Sequence, residues 1–283
     1  MKIGAHISAA GDMALAPQRA SEIGCECFQF FSRSPQGGKA KEITPELVKN
    51  FKANMKEYNQ SECYIHAPYY INLASVNNRI YHGSIKVIRD ELERGSKLGV
   101  KYVMMHIGSY KDAGEKEGLK MACDGIAKIL DGYKGKAQLL IEMSAGAGAI
   151  IGDTYEEIKK IIDSAKLSKY NIGICFDTAH AFASGYDLSS QRAVKNTFKE
   201  FDKILGIKKL KLIHANDSKV ELNSKKDRHD HIGKGFIGLE GFEAIVNFAV
   251  KKNINLILET PSGDSRVADI KILKKIRKKP PSV

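Results

Sequence analysis

Residues 138–144 read QLLIEMS. Three apolar residues, Leu139, Leu140 and Ile141, run directly into a carboxylate, Glu142. So short an apolar run reads as a buried strand. A charge at the end of a buried strand is costly unless it is paired or bound to a metal ion. One such carboxylate has an ordinary explanation, as the cap of the next helix or half of a salt bridge. The pattern recurs, however, along the whole chain. Seven further β-prone runs match it: KIGAHIS (2–8), CECFQFFS (25–32), CYIHAPY (63–69), YVMMHIG (102–108), IGICFDT (172–178), LKLIHAN (210–216) and INLILET (254–260).

Segments of helical periodicity separate these runs, for example 47–58, 85–99 and 154–166. Gly24 and Gly99 follow two of the helical segments as stop signals. Eight strand–helix units in 283 residues predict an α/β chain folded as a (β/α)8 TIM barrel. A doubly wound open sheet is the alternative, but no GxGxxG turn follows the first strand. No low-complexity linker divides the chain, so residues 1–283 are expected to form one domain, with a basic C-terminal run over 271–283.

The ionisable residues of the runs are His6, His66, His106, Glu142, Asp177, His180, His214 and Glu259. All but His6, which reads as nearer mid-strand, fall near a strand's C-terminal end, where barrel active sites are built. A lone strand histidine is usually a satisfied core residue. Equivalent placement of seven residues is not explained that way. Imidazole and carboxylate donors without thiolates suit Zn²⁺ or Mn²⁺. The donors outnumber what one tetrahedral ion takes, so two or three metals are expected. Paired metals suit the attacking and leaving oxygens of a phosphoryl centre. The spacing of Asp177 and His180 lets them point at neighbouring metals if the chain turns into a loop there.

The net charge is +12, with pI near 9.3. This favours polyanionic partners, although the run KILKKIRKK (271–279) also reads as a solvated helix face. Together, metals and charge point to phosphodiester hydrolysis in nucleic acid. Five scattered cysteines with no CxxC pair read as reduced thiols. The apolar runs are too short to span a bilayer, and the N-terminus lacks a secretory pattern. The protein is therefore expected to be cytoplasmic and not membrane-bound.

A second polar cluster is DRHDHIGKG, residues 227–235. Asp227 and His229 are two apart, so an extended loop presents them on one side. His231 shares that parity. Arg228 and Lys234 read as phosphate contacts, with the glycines allowing close approach of backbone to DNA.

Several of these segments resemble the endonuclease IV family of abasic-site (AP) endonucleases over the whole chain: GAHISAAG (4–11), YYINLAS (69–75), HIGS (106–109), IEMSAG (141–146), FDTAHAFASGYD (176–187), HANDSK (214–219), DRHDHIGKGFIG (227–238) and LILETP (256–261). The resemblance implies three Zn²⁺ ions, with Mn²⁺ an alternative at some positions, and nine ligands. His66, His106 and Glu142 would hold one ion. Glu142 would be shared with a second, completed by Asp177, His214 and Glu259. His180, Asp227 and His229 would hold the third, which leaves His231 a supporting role. The implied reaction cuts duplex DNA 5′ to an abasic site, leaves a 3′-hydroxyl, and clears blocked 3′ ends, with Glu142 catalytic. Tyr69 matches a family tyrosine of the substrate pocket, and His6 is a further substrate-side candidate. A monomer suits a protein that lays one face on a duplex.

The chain departs from the family in RSPQGG (33–38). Gln36 stands where the family often inserts an arginine into DNA, and it lacks that residue's charge and fork. Arg33 and Lys39 are candidates to compensate. Two other readings compete. A one- or two-metal sugar isomerase or epimerase on a related barrel has no need of Asp227 and His229. A non-catalytic nucleic-acid binder has no need of nine ligands.

Overall fold

The computed structural model describes residues 1–164 and 166–278. Seven strands follow in order: β1 (Ile3–His6), β2 (Phe28–Phe30), β3 (Cys63–His66), β4 (Tyr102–Met105), β5 (Gln138–Glu142), β6 (Gly173–Asp177) and β7 (Leu210–His214). Two short strands, β8 (Asp217–Ser218) and β9 (His229–Asp230), then pair as an antiparallel ribbon. The chain returns to the barrel as β10 (Asn255–Leu258). The ring closes in the order β1-β10-β7-β6-β5-β4-β3-β2, and every pairing in it is parallel.

Helices follow each barrel strand on the outside, as the alternating pattern requires. Their ends are set locally. Pro45 opens one helix behind Thr44, whose side chain accepts from the Leu47 amide. Asn77 caps the helix Asn78–Leu98, which starts seven residues before the segment read from the sequence. Gly99 ends it at φ 82°, a left-handed conformation that favours glycine. The helix Tyr155–Ile162 is shorter than the segment 154–166 suggests, and residue 165 lies outside the described residues. Of the basic run 271–283, residues 271–278 belong to the last helix, Asp264–Lys278, and 279–283 lie outside the described residues.

The period of two residues along a strand decides what fills the barrel. One interior layer consists of Cys27, Tyr64, Met104, Leu140, Cys175, Leu212 and Ile257, all fully buried. Two residues onward on the same strands stand Gln29, His66, His106, Glu142, Asp177, His214 and Glu259. The eighth strand adds Gly4 and then His6. A Cβ at Gly4 would meet the Cys27 carbonyl oxygen at 1.8 Å, so only glycine fits there. An apolar plug thus carries a polar layer, and the polar layer faces the C-terminal mouth. His6 closes β1 rather than lying mid-strand, so the expected exception disappears. All five cysteines are free, and four of them are buried.

Candidate metal centre

Glu142 lies at the middle of the polar layer and is fully buried. Its Oε2 is 2.9 Å from His66 Nε2 and 3.8 Å from His106 Nε2. Its Oε1 is 2.9 Å from His214 Nδ1 and 3.7 Å from His180 Nδ1. His214 Nδ1 also faces Glu259 Oε2 at 3.2 Å and Asp177 Oδ2 at 3.8 Å. A third group gathers on the ribbon side. Asp227 Oδ1 is 3.2 Å from His180 Nε2 and 3.3 Å from His229 Nε2, and the two ring nitrogens are 3.3 Å apart. Converging donor atoms therefore include His66, His106 and Glu142; Glu142, Asp177, His214 and Glu259; and Asp177, His180 and His229.

The chemistry of this donor set fits cations. Among the described residues, every ion pair to Glu142, Asp177 or Glu259 comes from a histidine, never from lysine or arginine. Several imidazoles are also held in one tautomer. His66 Nδ1 donates to the Ala67 carbonyl at 2.6 Å and His180 Nδ1 to the Met143 carbonyl at 2.9 Å. The opposite nitrogen of each therefore presents a lone pair to the cluster when the ring is neutral. Cys175 lies within reach of Glu142 and His214, but burial pushes its thiol up to about 12, so it is no thiolate near neutrality.

The electrostatics follow from the convergence. Burial alone would lower His180 and raise Glu142. For His180, Asp177, Asp227 and Glu142 outweigh burial and raise the imidazole to about 10. For Glu142, His214, His106 and His66 outweigh it and hold the carboxyl well below its ordinary value. Without a cation, protons on imidazoles balance the carboxylates. A bound cation must displace such protons, so uptake weakens as pH falls from about 10 through neutrality. Calorimetric zinc titrations at pH 7 in buffers of different ionisation enthalpy should show net proton release. Zero release or proton uptake would contradict this charge arrangement.

Two residues that position the donors are not among those the sequence singles out. Gln29 is fully buried on β2. Its Nε2 donates to Glu259 Oε1 at 2.6 Å, and its Oε1 accepts from His214 Nε2 at 2.7 Å. Because Glu259 can only accept, the orientation of the amide is fixed. Gln29 Nε2 also reaches His6 Nδ1 at 3.0 Å, which joins His6 to the cluster indirectly. Asn216 donates to Asp177 Oδ2 at 2.6 Å and accepts from the Glu259 amide at 2.7 Å. A signal for Asn216 was present in HAND (214–217), next to a strand-end histidine; Gln29 is legible only through strand parity. Gln29→Leu should weaken metal retention and activity by about 10–100-fold. Equilibrium dialysis against a competing chelator checks this, and parental retention would count against it.

The remaining expectations fare differently. Asp177 and His180 are not on a loop, because a short helix (Thr178–Ala183) begins at once, and Asp177 Oδ1 caps it through the His180 amide at 2.9 Å. Asp177 Oδ2 is left to face His214 and His229. Tyr69 is 65% exposed, and its ring lies 5.6 Å from that of His66. Gln36, Lys39, Arg228 and Lys234 are exposed. Arg33 is not free to compensate for Gln36, because its guanidinium is paired with Asp90 and the buried Glu91. His231 Nδ1 bonds Asp269 Oδ2 at 2.7 Å and ties the loop to the last helix. Gly235 serves the ribbon, since a Cβ there would meet the Ser218 carbonyl oxygen at 2.2 Å.

Comparison with known proteins agrees with this architecture. Residues 17–277 match the family model described as a xylose isomerase-like TIM barrel. A protein of Halothermothrix orenii named probable endonuclease 4 is 37% identical over 98% of this chain and 100% of its own length. The crystal structure of endonuclease IV from Thermus thermophilus superposes with a TM-score of 0.86 at 29% identity, covering 98% of both chains. A D-tagatose 3-epimerase-like protein superposes at 0.74 with 20% identity, covering 98% of this chain and 97% of its own, a likeness of fold alone. The plug of apolar side chains, the polar layer above it and the full-length match place this chain in the endonuclease IV family.

Proposed function

We propose that this chain is a zinc-dependent AP endonuclease acting as a monomer. It hydrolyses the phosphodiester 5′ to an abasic site in duplex DNA, leaves a 3′-hydroxyl, and also clears blocked 3′ ends. The observation that carries this reading is the set of three donor groups that meet at one barrel mouth. His66, His106 and Glu142 would hold one ion; Glu142, Asp177, His214 and Glu259 a second; His180, Asp227 and His229 a third. Zinc suits the nitrogen and oxygen donors, with Mn²⁺ an alternative. Bound ions of this kind lower the pKa of water and offset charge developing on phosphoryl oxygens.

The chain's own residues supply the rest. Glu142, kept ionised by three histidines, is placed to take the proton of the attacking water. Gln29 and Asn216 hold the flanking groups so that little reorganisation accompanies reaction. The donors His66, His180 and His214 are buried to 3% exposure or less, so the target nucleotide must leave the base stack to reach them. A missing base lowers that cost and contributes selectivity. Tyr69 borders the pocket, Arg228 and Lys234 face phosphates, and Gln36 is placed to fill the gap at the lesion.

The epimerase reading leaves Asp227 and His229 without a task. Elemental analysis separates the two: three zinc ions per chain support the endonuclease, whereas one or two ions with aldose–ketose turnover would replace it.

A further inference from the structure

Among the described residues Phe236 is the only exposed phenylalanine, with 52% of its surface open to solvent. Exposing so large an apolar group has no folding benefit. The loop that carries it is not loose. Fully buried Asp217 accepts from the amides of Gly233 and Ile237, each at 2.9 Å, and from that of Ser218 at 2.8 Å. The Phe236 amide itself donates to the Ser218 carbonyl at 2.8 Å. Ser218 pairs in turn with His229, whose ring faces His180 and Asp227. Phe236 is therefore fixed to the same ribbon that carries His229, one residue of the third donor group.

Its place on the ring is informative. β7 and β3 are four positions apart in an eight-membered ring, so they face each other across the barrel. Exposed Tyr69 follows β3, and Phe236 follows β7. Tyr69 and Phe236 are thus open aromatic rings on segments that leave opposite strands of the ring, and Phe236 is tied through Ser218 to the donor His229. Exposed Lys234 lies two residues from Phe236, and the carbonyl of exposed Arg228 accepts from the amide of Lys219, the neighbour of Ser218. A rigid aromatic beside cations is the combination that stacks a base while tracking the phosphate strand.

We propose that Phe236 is a stacking platform for a nucleobase of the DNA strand flanking the abasic nucleotide. It thereby helps to hold the duplex at the mouth, where Gln36 lacks the charge of an arginine. This inference rests on the AP endonuclease reading.

The chain has no tryptophan, so Phe236→Trp creates a single fluorescent reporter at the site itself. Rapid mixing with a duplex carrying one abasic site should quench that fluorescence before the strand is nicked. Val250→Trp, an exposed reporter on the last turns of the helix Gly238–Lys252, should stay unquenched. In steady-state nicking, Phe236→Ala should raise KM about tenfold. Phe236→Tyr should restore it and Phe236→Leu should not, because stacking needs a π face and simple apolar burial does not. If the parent nicks the abasic duplex while Phe236→Trp is unquenched or Phe236→Ala keeps the parental KM, the platform is refuted and the enzyme reading stands. If Leu restores KM as well as Tyr, stacking is refuted in favour of packing. If the parent does not nick, the enzyme reading fails and takes the platform with it.

Discussion

Glu142→Gln is expected to lower the single-turnover rate of nicking at an abasic site by about a thousandfold, with the fold retained. The amide keeps the shape of the carboxylate and removes its charge. His66 Nε2 and His214 Nδ1, each 2.9 Å from a carboxylate oxygen, would then face a group that can no longer balance them. Two donor groups share this one side chain, so the substitution weakens both and also removes the proposed proton acceptor. No other single change at the site is placed to do as much. Single-turnover kinetics with enzyme in excess read the chemical step, and circular dichroism reads the fold. A rate within tenfold of the parent would contradict the role given to Glu142.

Removal of the metal should have the second large effect, on both activity and stability. The centre concentrates buried carboxylates and imidazoles that no lysine or arginine neutralises among the described residues. An ion that binds only the folded chain stabilises it by about 4 kcal/mol at a thousandfold excess over Kd. With an unfolding entropy of roughly 2.1 cal/mol/K per residue, that is about 7 °C in Tm per tightly held ion for this length. A strong chelator should therefore abolish nicking and lower Tm by roughly that amount for each ion removed. Adding zinc back should restore both, as followed by calorimetry and by the nicking assay. An unchanged Tm after complete removal would mean that the donors are satisfied without cations.

Much of this site is legible in the sequence because β-strands alternate. Leu140 fills the barrel, so Glu142 must point the same way, and Tyr64 with His66 or Ile257 with Glu259 repeats the rule. The parallel barrel then brings seven strand ends to one face without further information. What escapes the sequence depends on side-chain partners. Gln29 looks like an ordinary polar residue in CECFQFF, and only the closed ring shows it between His214 and Glu259. Arg33 reads as a free cation until the helix Asn78–Leu98 supplies Asp90 and Glu91. Gly235 looks like a concession to DNA, but the ribbon itself requires it. His231 has the parity of a ligand, yet Asp269 on the last helix holds its ring. Each of these contacts comes from an element distant in sequence, which a local pattern cannot carry.

Hydrolysis of a phosphodiester at an abasic site is read most directly from the chemistry of the cut end. Zinc-loaded protein should be incubated with a duplex bearing one abasic site, and the nicked strand then offered to a DNA polymerase. The expected product is a cut on the 5′ side whose 3′-hydroxyl is extended without further treatment. Intact substrate, or a 3′ end that carries a sugar fragment and cannot be extended, would rule out this hydrolysis.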